Sequence, residues 1–349
     1  MVSSSLKFEL SISKKRKLTV VAGLIVLLVA AVFGVMFGAT DISLSDILKL
    51  ISGQEIAPDV RCIFFELRLP RVITAVLVGA AFAVSGAVMQ ALTQNPLASP
   101  SLAGLNAGSS LALLVALVFL PEFSIETGIV ASAIGSAIGV TLVFTVSLLA
   151  RSGNSPAGFA LSGLIVSMFL SSITTGIVHA NNMSYELSFW TMGGLEAIRW
   201  EHVKLLLPIV FAGIAFLMFL SPGLTAVSLG NETATGLGVN VWRVRRLSLL
   251  AVFVLVGASV AIVGPVGFVG LMVPHIARKL TGVSYSIIIP VSALLGGVLV
   301  LICDTLSRYL TASAISAGVF TTFIGGSFFV YLAYASGKPK KRKPASEVK

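Results

Sequence analysis

Charged residues are scarce in this chain: Asp, Glu, Lys and Arg make up 11% of its 349 residues, whereas soluble proteins carry roughly 25%. Hydrophobic residues make up 56%, and the mean hydropathy is +1.01. A water-soluble core of this length could not hide so much apolar surface. The composition therefore excludes a soluble globular protein and indicates a chain whose solvent is lipid.

Cysteine and the common catalytic groupings are lacking too. Cys62 and Cys303 are the only cysteines, and the second lies in an apolar run, which excludes a disulfide scaffold. His179, His202 and His275 are far apart and have no cysteine or carboxylate at metal-ligand spacing. The chain has no Ser-His-Asp grouping and no G-x-x-x-x-G-K-[ST] loop. We expect no catalysis and no bound metal or cofactor in this chain, and we expect any ATP and magnesium to belong to a partner.

Ionisable residues are nearly absent from the middle of the apolar runs. Asp304 comes closest, near the outer end of such a run. Proton- or ion-coupled carriers usually need ionisable groups at mid-depth. The sequence therefore indicates a conduit that is powered by another protein.

Long apolar runs dominate the rest of the sequence. A helix needs about 20 mostly apolar residues to cross the hydrocarbon core of a bilayer. We predict an all-α polytopic membrane protein, in which residues 18–335 form the transmembrane domain. The ten runs that meet the length test lie near residues 18–39, 70–92, 100–120, 127–150, 158–179, 203–221, 246–264, 266–282, 288–306 and 317–335.

The Lys and Arg residues predict the orientation, because cytoplasmic loops of membrane proteins are enriched in them. With the N-terminus inside, 17 of the 24 basic residues lie on the cytoplasmic side and 7 outside. We therefore predict cytoplasmic segments at residues 1–17 and 336–349, and a first span retained as a helix rather than cleaved as a signal peptide. The net charge of +10 lies at membrane boundaries, so the basic tail is expected to face anionic lipid rather than nucleic acid.

Small residues recur at helical spacing inside the spans. Gly104-x-x-x-Gly108 and Gly135-x-x-x-Gly139 have the spacing that lets two helix backbones approach closely. Residues 77–86 and 255–264 match at six of ten positions, in spans that run in opposite directions. An inverted repeat of this kind is common in transporters, although an apolar composition makes such matches easy.

Three blocks of sequence resemble one transporter family. Residues 68–109 contain R-x-P-R, a small-residue helix ending in S-G-x-x-x-Q, and N-P-L-A-x-P-x-x-x-G. Residues 264–278 contain G-x-x-G-F-V-G-L-x-x-P-H-x-x-R, and residues 229–238 contain L-G-x-E-x-A-x-x-L-G. The chain resembles the FecCD family, the permease subunits of ATP-binding-cassette (ABC) importers for iron–siderophore complexes, haem and cobalamin. The resemblance covers nearly the whole chain and implies the ten-helix fold of a type II ABC importer permease.

The resemblance implies roles for four groups of residues. Arginines are expected to bind acidic side chains of a substrate-binding protein, and these are Arg68, Arg71 and Arg308. A cytoplasmic loop over residues 227–240 is expected to contact the ATPase subunit and couple its movement to the permease. The contact residues are expected to be Leu229, Gly230, Asn231, Glu232, Ala234, Leu237 and Gly238. A cytoplasmic gate is expected at Asn95, Pro96 and Leu97. The translocation path is expected to be lined by Ser85, Gly86 and Gln90.

Each role has a simpler alternative. The arginines could extend to the lipid headgroups, and Asp304 could neutralise Arg308 four residues later on the same helix. The loop over residues 227–240 could be solvated without a partner, and Pro96 could serve only the local turn.

The resemblance also implies an assembly. We expect the chain to work as a homodimer or heterodimer in the cytoplasmic membrane, with two ATPase subunits and an extracytoplasmic substrate-binding protein. Departures from the family pattern at residues 282–286, 314–318 and 326–328 favour a heterodimer. The expected cargo is a ferric siderophore, with cobalamin or haem as the alternative within the family. A secondary transporter or channel is the alternative from another class.

Overall fold

The computed structural model describes residues 2–38, 42–54, 56–101, 104–120, 122–149, 156–182, 194–311 and 315–337, and it is built from helices. A π-helical stretch, Ile63–Arg68, joins α3 to α4 without a break. The helices are α1 (Val2–Met36), α2 (Leu44–Ile51), α3 (Pro58–Cys62), α4 (Leu69–Thr93), α5 (Leu105–Phe119), α6 (Ile125–Leu149), α7 (Pro156–Ala180), α8 (Trp200–Phe219), α9 (Ser221–Ser228), α10 (Asn231–Gly236), α11 (Val241–Val263), α12 (Val269–Thr281), α13 (Tyr285–Thr311) and α14 (Ala317–Gly337).

Each of the ten predicted spans corresponds to a helix, but the helices differ in length. Among the described residues, seven helices are long and apolar enough to cross a membrane, and α5 and α14 are shorter apolar helices. The predicted basic tail at residues 336–349 lies outside the described residues beyond Gly337, and within residues 1–17 only the helical backbone of α1 is described.

The predicted span at residues 266–282 contains a helix shorter than the span. Its helix, α12, has 13 residues, which at 1.5 Å per residue is about 20 Å, too short for the hydrocarbon core. The preceding backbone is not helical, because Gly264 has φ 79° and Phe268 has φ 62°, and Pro265 lacks an amide hydrogen. A Cβ on Gly86 would overlap the backbone of Gly270. The helix therefore begins beside the middle of α4, inside the bundle.

Helix α4 is the centre of the fold. The apolar membrane-spanning part of helix Pro58–Thr93 is 89% buried. The corresponding part of α1 is 17% buried and that of α8 is 22% buried. Alanine, glycine and valine fill most of α4, which lets α11, α12 and α13 pack closely around it. The helices with low burial present leucine, isoleucine and phenylalanine outward, as lipid requires.

Close backbone contact between α5 and α6 confirms the packing predicted from their glycines. A Cβ on Gly108 would overlap the carbonyl oxygen of Gly135, and one on Gly104 would lie 3.0 Å from that of Gly139. Ser109 Oγ donates across the same interface to the Ser132 carbonyl at 2.8 Å. Glycine is required here because the two backbones touch.

The two ends of α4 define two ends of the molecule. The 25 residues of α4 span about 37 Å, from Arg68 to Gln94. The Arg68 end also contains the end of α1 and the last turns of α13. The Gln94 end also contains α9, α10 and the start of α11.

Candidate functional site

An acidic side chain organises the Arg68 end. Asp304, on α13, is fully buried and accepts two hydrogen bonds from Arg71 Nε, at 2.9 and 3.1 Å, and one from Arg71 Nη2, at 2.8 Å. The Arg308 Nε atom lies 3.1 Å from the second oxygen of the same carboxylate as an ion pair. The bidentate pairing of a planar guanidinium with a carboxylate is the strongest form of this interaction. One aspartate therefore links α4 to two turns of α13.

The same end binds the last turn of α1. Arg68 Nη1 donates to the Met36 carbonyl at 2.6 Å, and Arg308 Nη2 donates to the Gly34 carbonyl at 2.8 Å. These carbonyls lie at a helix C-terminus, where the helix dipole favours positive charge. The Met36 carbonyl also accepts from the Ile42 amide at 3.0 Å. The arginines bond to these carbonyls and so connect α1 to α4 and α13.

This geometry differs from what the docking hypothesis expected. Arg68 and Arg308 are each 6% exposed, and Arg71 has 11% of its side chain exposed. The structure gathers the three arginines at one end, but Arg71 and Arg308 pair with the buried Asp304, and Arg68 bonds to the end of α1. Glu196, 3.8 Å from Arg71 and 28% exposed, lies at the open edge of the cluster. A docking role for the arginines remains a prediction.

The residues expected to line the path are buried between helices of this chain. Ser85 and Gly86 are buried on α4, and Gln90 is 2% exposed. The Gln90 amide donates to the Leu271 carbonyl at 3.3 Å and accepts from Arg278 Nη2 at 2.9 Å. In this chain the close packing of α12 on α4 covers these residues, and their role in lining a path stays a prediction.

The predicted gate is a tight turn that directly follows α4. Asn95 is buried, and its side-chain oxygen accepts from the Leu97 amide at 2.9 Å, a local bond that fixes the turn. The turn leaves Pro96 exposed and Leu97 40% exposed. An apolar side chain is thereby held at the Gln94 end, where a second subunit could meet it.

The predicted coupling loop forms a short helix, α10, between two exposed leucines. Leu229 is 56% exposed and Leu237 is 67% exposed, whereas Ala234 is fully buried beneath the helix. Gly230 has φ 127°, a conformation that favours glycine. Two large apolar side chains beside the exposed Glu232 form a surface suited to a protein partner.

The structure also shows polar contacts that sequence patterns did not indicate. Arg71 and Asp304 are 233 positions apart, so only the local Asp304–Arg308 spacing was visible. Gln94 and Arg245 both bond to Asn231, and no motif pointed to them. The one available signal was an aspartate inside an apolar run, which requires a buried cationic partner.

Taken together, the fold and these surfaces define a multi-pass helical membrane protein of the transporter permease class. The chain belongs to the FecCD transport family, whose match covers residues 25–335.

Curated relatives cover nearly all of the chain. An Fe(3+)-citrate import system permease protein, YfmD of Bacillus subtilis, is 40% identical over 92% of this chain and 96% of its own length. The iron(3+)-hydroxamate permease FhuB of Bacillus subtilis is 38% identical over 90% of this chain and 83% of its length. The ferric enterobactin permease FepD of Escherichia coli is 34% identical over 92% of this chain and 96% of its own length.

Solved structures agree with the fold. A metal-chelate type ABC transporter in an inward-facing conformation matches with a TM-score of 0.76 and 28% identity, over 90% of this chain and 98% of that one. PsaBC from Streptococcus pneumoniae matches with a TM-score of 0.57 and 18% identity, over 82% of this chain and 94% of that one. This likeness supports the fold alone.

Proposed function

We propose that this chain is a permease subunit of an ABC importer that carries ferric siderophores across the cytoplasmic membrane. The observation that carries the proposal is the near-complete match to permeases named for three different ferric chelates, citrate, hydroxamate and enterobactin. These chelates differ in size and chemistry and share the bound iron(III). The shared feature supports the class of cargo rather than one member of it.

The surface at the Gln94 end supports an external source of energy. The sequence has no phosphate-binding loop, and the described residues place two exposed leucines on either side of α10. A short helix held between apolar side chains can fit a groove on a separate ATPase. Closing of two ATPase subunits would then tilt the attached permease helices.

A second permease chain completes the proposal. The turn at residues 95–97 presents Leu97 at one end of one chain, and closing a path there requires a facing surface. We propose a dimer, with the partner either a copy of this chain or a second FecCD-type permease. The departures at residues 282–286, 314–318 and 326–328 support the second arrangement.

The test is uptake in proteoliposomes that contain this chain with its partner permease, ATPase and binding protein. Labelled ferric citrate, a ferric hydroxamate, ferric enterobactin, haem and cobalamin are offered in turn, with ATP or with a non-hydrolysable analogue. We expect uptake of a ferric chelate that needs both ATP and the binding protein. Uptake of haem or cobalamin alone would show that the cargo is not a ferric siderophore. Uptake without ATP would show that the protein is a secondary transporter or channel rather than an ABC importer.

The proposed orientation places the Arg68 end outside, where the binding protein would dock. Cys62 is exposed and lies six residues before Arg68, whereas Cys303 is buried. A membrane-impermeant maleimide added outside intact spheroplasts should label the native chain but not a Cys62→Ser variant. A photo-crosslinker on Cys62 should capture the binding protein. If Cys62 is labelled only after the membranes are disrupted, the Arg68 end faces the cytoplasm and the proposed orientation is wrong.

A further inference from the structure

Three segments meet at one side chain at the Gln94 end. Asn231, the first residue of α10, accepts at its side-chain oxygen from Gln94 Nε2 at 3.3 Å and from Arg245 Nη2 at 3.1 Å. Gln94 follows the last residue of α4, and Arg245 lies near the start of α11. We call these three residues the polar junction.

The polar junction also bonds to the ends of two helices. Gln94 Nε2 donates to the Val227 carbonyl in the last turn of α9, at 3.1 Å. Arg245 Nη2 donates to the Leu92 carbonyl in the last turn of α4, at 3.3 Å. The Leu92 carbonyl lies in a last turn, where backbone acceptors lack partners within the helix, and the Val227 carbonyl also accepts from the Gly230 amide at 3.1 Å. Two side chains thereby connect α4, α9, α10 and α11.

Gln94 occupies the position where α4 turns into the predicted gate. Its φ of 52° is in the left-handed region, which ends the helix and directs the chain into the turn at residues 95–97. Movement of α10 that pulls on Asn231 therefore acts on the backbone immediately before Asn95.

We propose that the polar junction transmits movement of α10 to the turn at residues 95–97, so that ATPase closure and gate opening are coupled through Gln94 and Arg245. This inference rests on the proposed function and names two positioning residues for it. Because the bonds are neutral or singly charged and partly solvated, they can exchange partners during each transport cycle. A fully buried ion pair would not exchange so readily.

The test compares Gln94→Gly and Arg245→Met with the wild-type importer. Glycine tolerates the left-handed backbone and removes the amide, and methionine keeps an apolar stem without a donor. Arg243→Gln is the matched control, because Arg243 lies exposed on the same turn of α11 and its side chain is outside the junction. Uptake and ATP hydrolysis are measured together with whichever of ferric citrate, ferric hydroxamate or ferric enterobactin the wild type transports best.

We expect uptake per ATP hydrolysed to fall about fivefold in each variant, the effect of losing one hydrogen bond that stabilises a step. The double variant should fall no further than about either single one, because both residues act through Asn231. The control should keep the wild-type ratio. A fall of uptake and hydrolysis in equal proportion, or loss of the ATPase subunit on purification, would overturn the inference.

A measurement on the purified permease separates this inference from the proposed function. Hydrogen exchange of the α10 amides should accelerate in Gln94→Gly and stay unchanged in Arg243→Gln. Unchanged exchange in Gln94→Gly would show that the junction does not hold α10, whatever the importer carries. Absence of ATP-dependent uptake in the wild type, with accelerated exchange in the variant, would count against the proposed function alone.

Discussion

The two ends of α4 are held by different kinds of interaction. At the Arg68 end, a fully buried carboxylate bonds two arginines, and water is largely excluded. At the Gln94 end, Asn231 accepts from an exposed glutamine and a half-buried arginine. Removing one member of a buried ion pair leaves an uncompensated charge, whereas water can replace a solvated hydrogen bond. One end is suited to hold the fold and the other to change during transport.

The largest expected effect comes from Asp304. Asp304→Ala leaves the Arg71 and Arg308 guanidinium groups buried without their carboxylate, and we expect a loss of about 3–5 kcal/mol in stability. Thermal unfolding of the detergent-purified chain measures the change. Glu66→Gln is the control, because Glu66 is exposed in the π-helical stretch near the same end. Equal stability of Asp304→Ala and Glu66→Gln would remove the contrast between the two ends.

A second test addresses the close packing of α4 against α12, between the two ends of α4. Gly86→Ala places a methyl group against the Gly270 backbone, and overpacking of this kind costs about 1–3 kcal/mol. Gly176→Ala is the matched control, since Gly176 lies within α7 with no atom within 4 Å of an added Cβ. The control should be neutral or slightly stabilising. If both substitutions have the same effect on unfolding, α4 and α12 are not in tight contact.

At the Gln94 end, removing a polar partner should affect stability much less. Arg245→Met removes the donor to Asn231 and Leu92, and we expect a loss of about 0.5–1.5 kcal/mol. The same unfolding measurement as for Asp304→Ala gives a direct comparison. A loss as large as that of Asp304→Ala would mean that the polar junction is a structural clamp, and the proposed exchange of partners would then be untenable.

The sequence predicted the helices better than it predicted their contacts. Runs of about 20 apolar residues require a helix in lipid, so each of the ten predicted spans contains one. The helix at residues 266–282 is shorter than its predicted span, because hydropathy does not detect the non-helical backbone that precedes Val269. The predicted docking and gate residues lie at opposite ends of α4. The burial of Arg68 and Arg308 was not predicted, because it depends on contacts between segments that are distant in sequence.

The smallest expected effect comes from Glu196, at the edge of the Arg68 end. Its carboxylate lies 3.8 Å from Arg71 Nη2 and is 28% exposed, while Asp304 already satisfies Arg71. A partly solvated ion pair contributes about 0–1 kcal/mol and weakens in salt. Glu196→Gln should therefore leave the unfolding temperature nearly unchanged at 0.5 M NaCl, whereas the effect of Asp304→Ala should persist there. If the two variants respond equally to salt, water reaches Asp304, and the Arg68 end is as open as the Gln94 end.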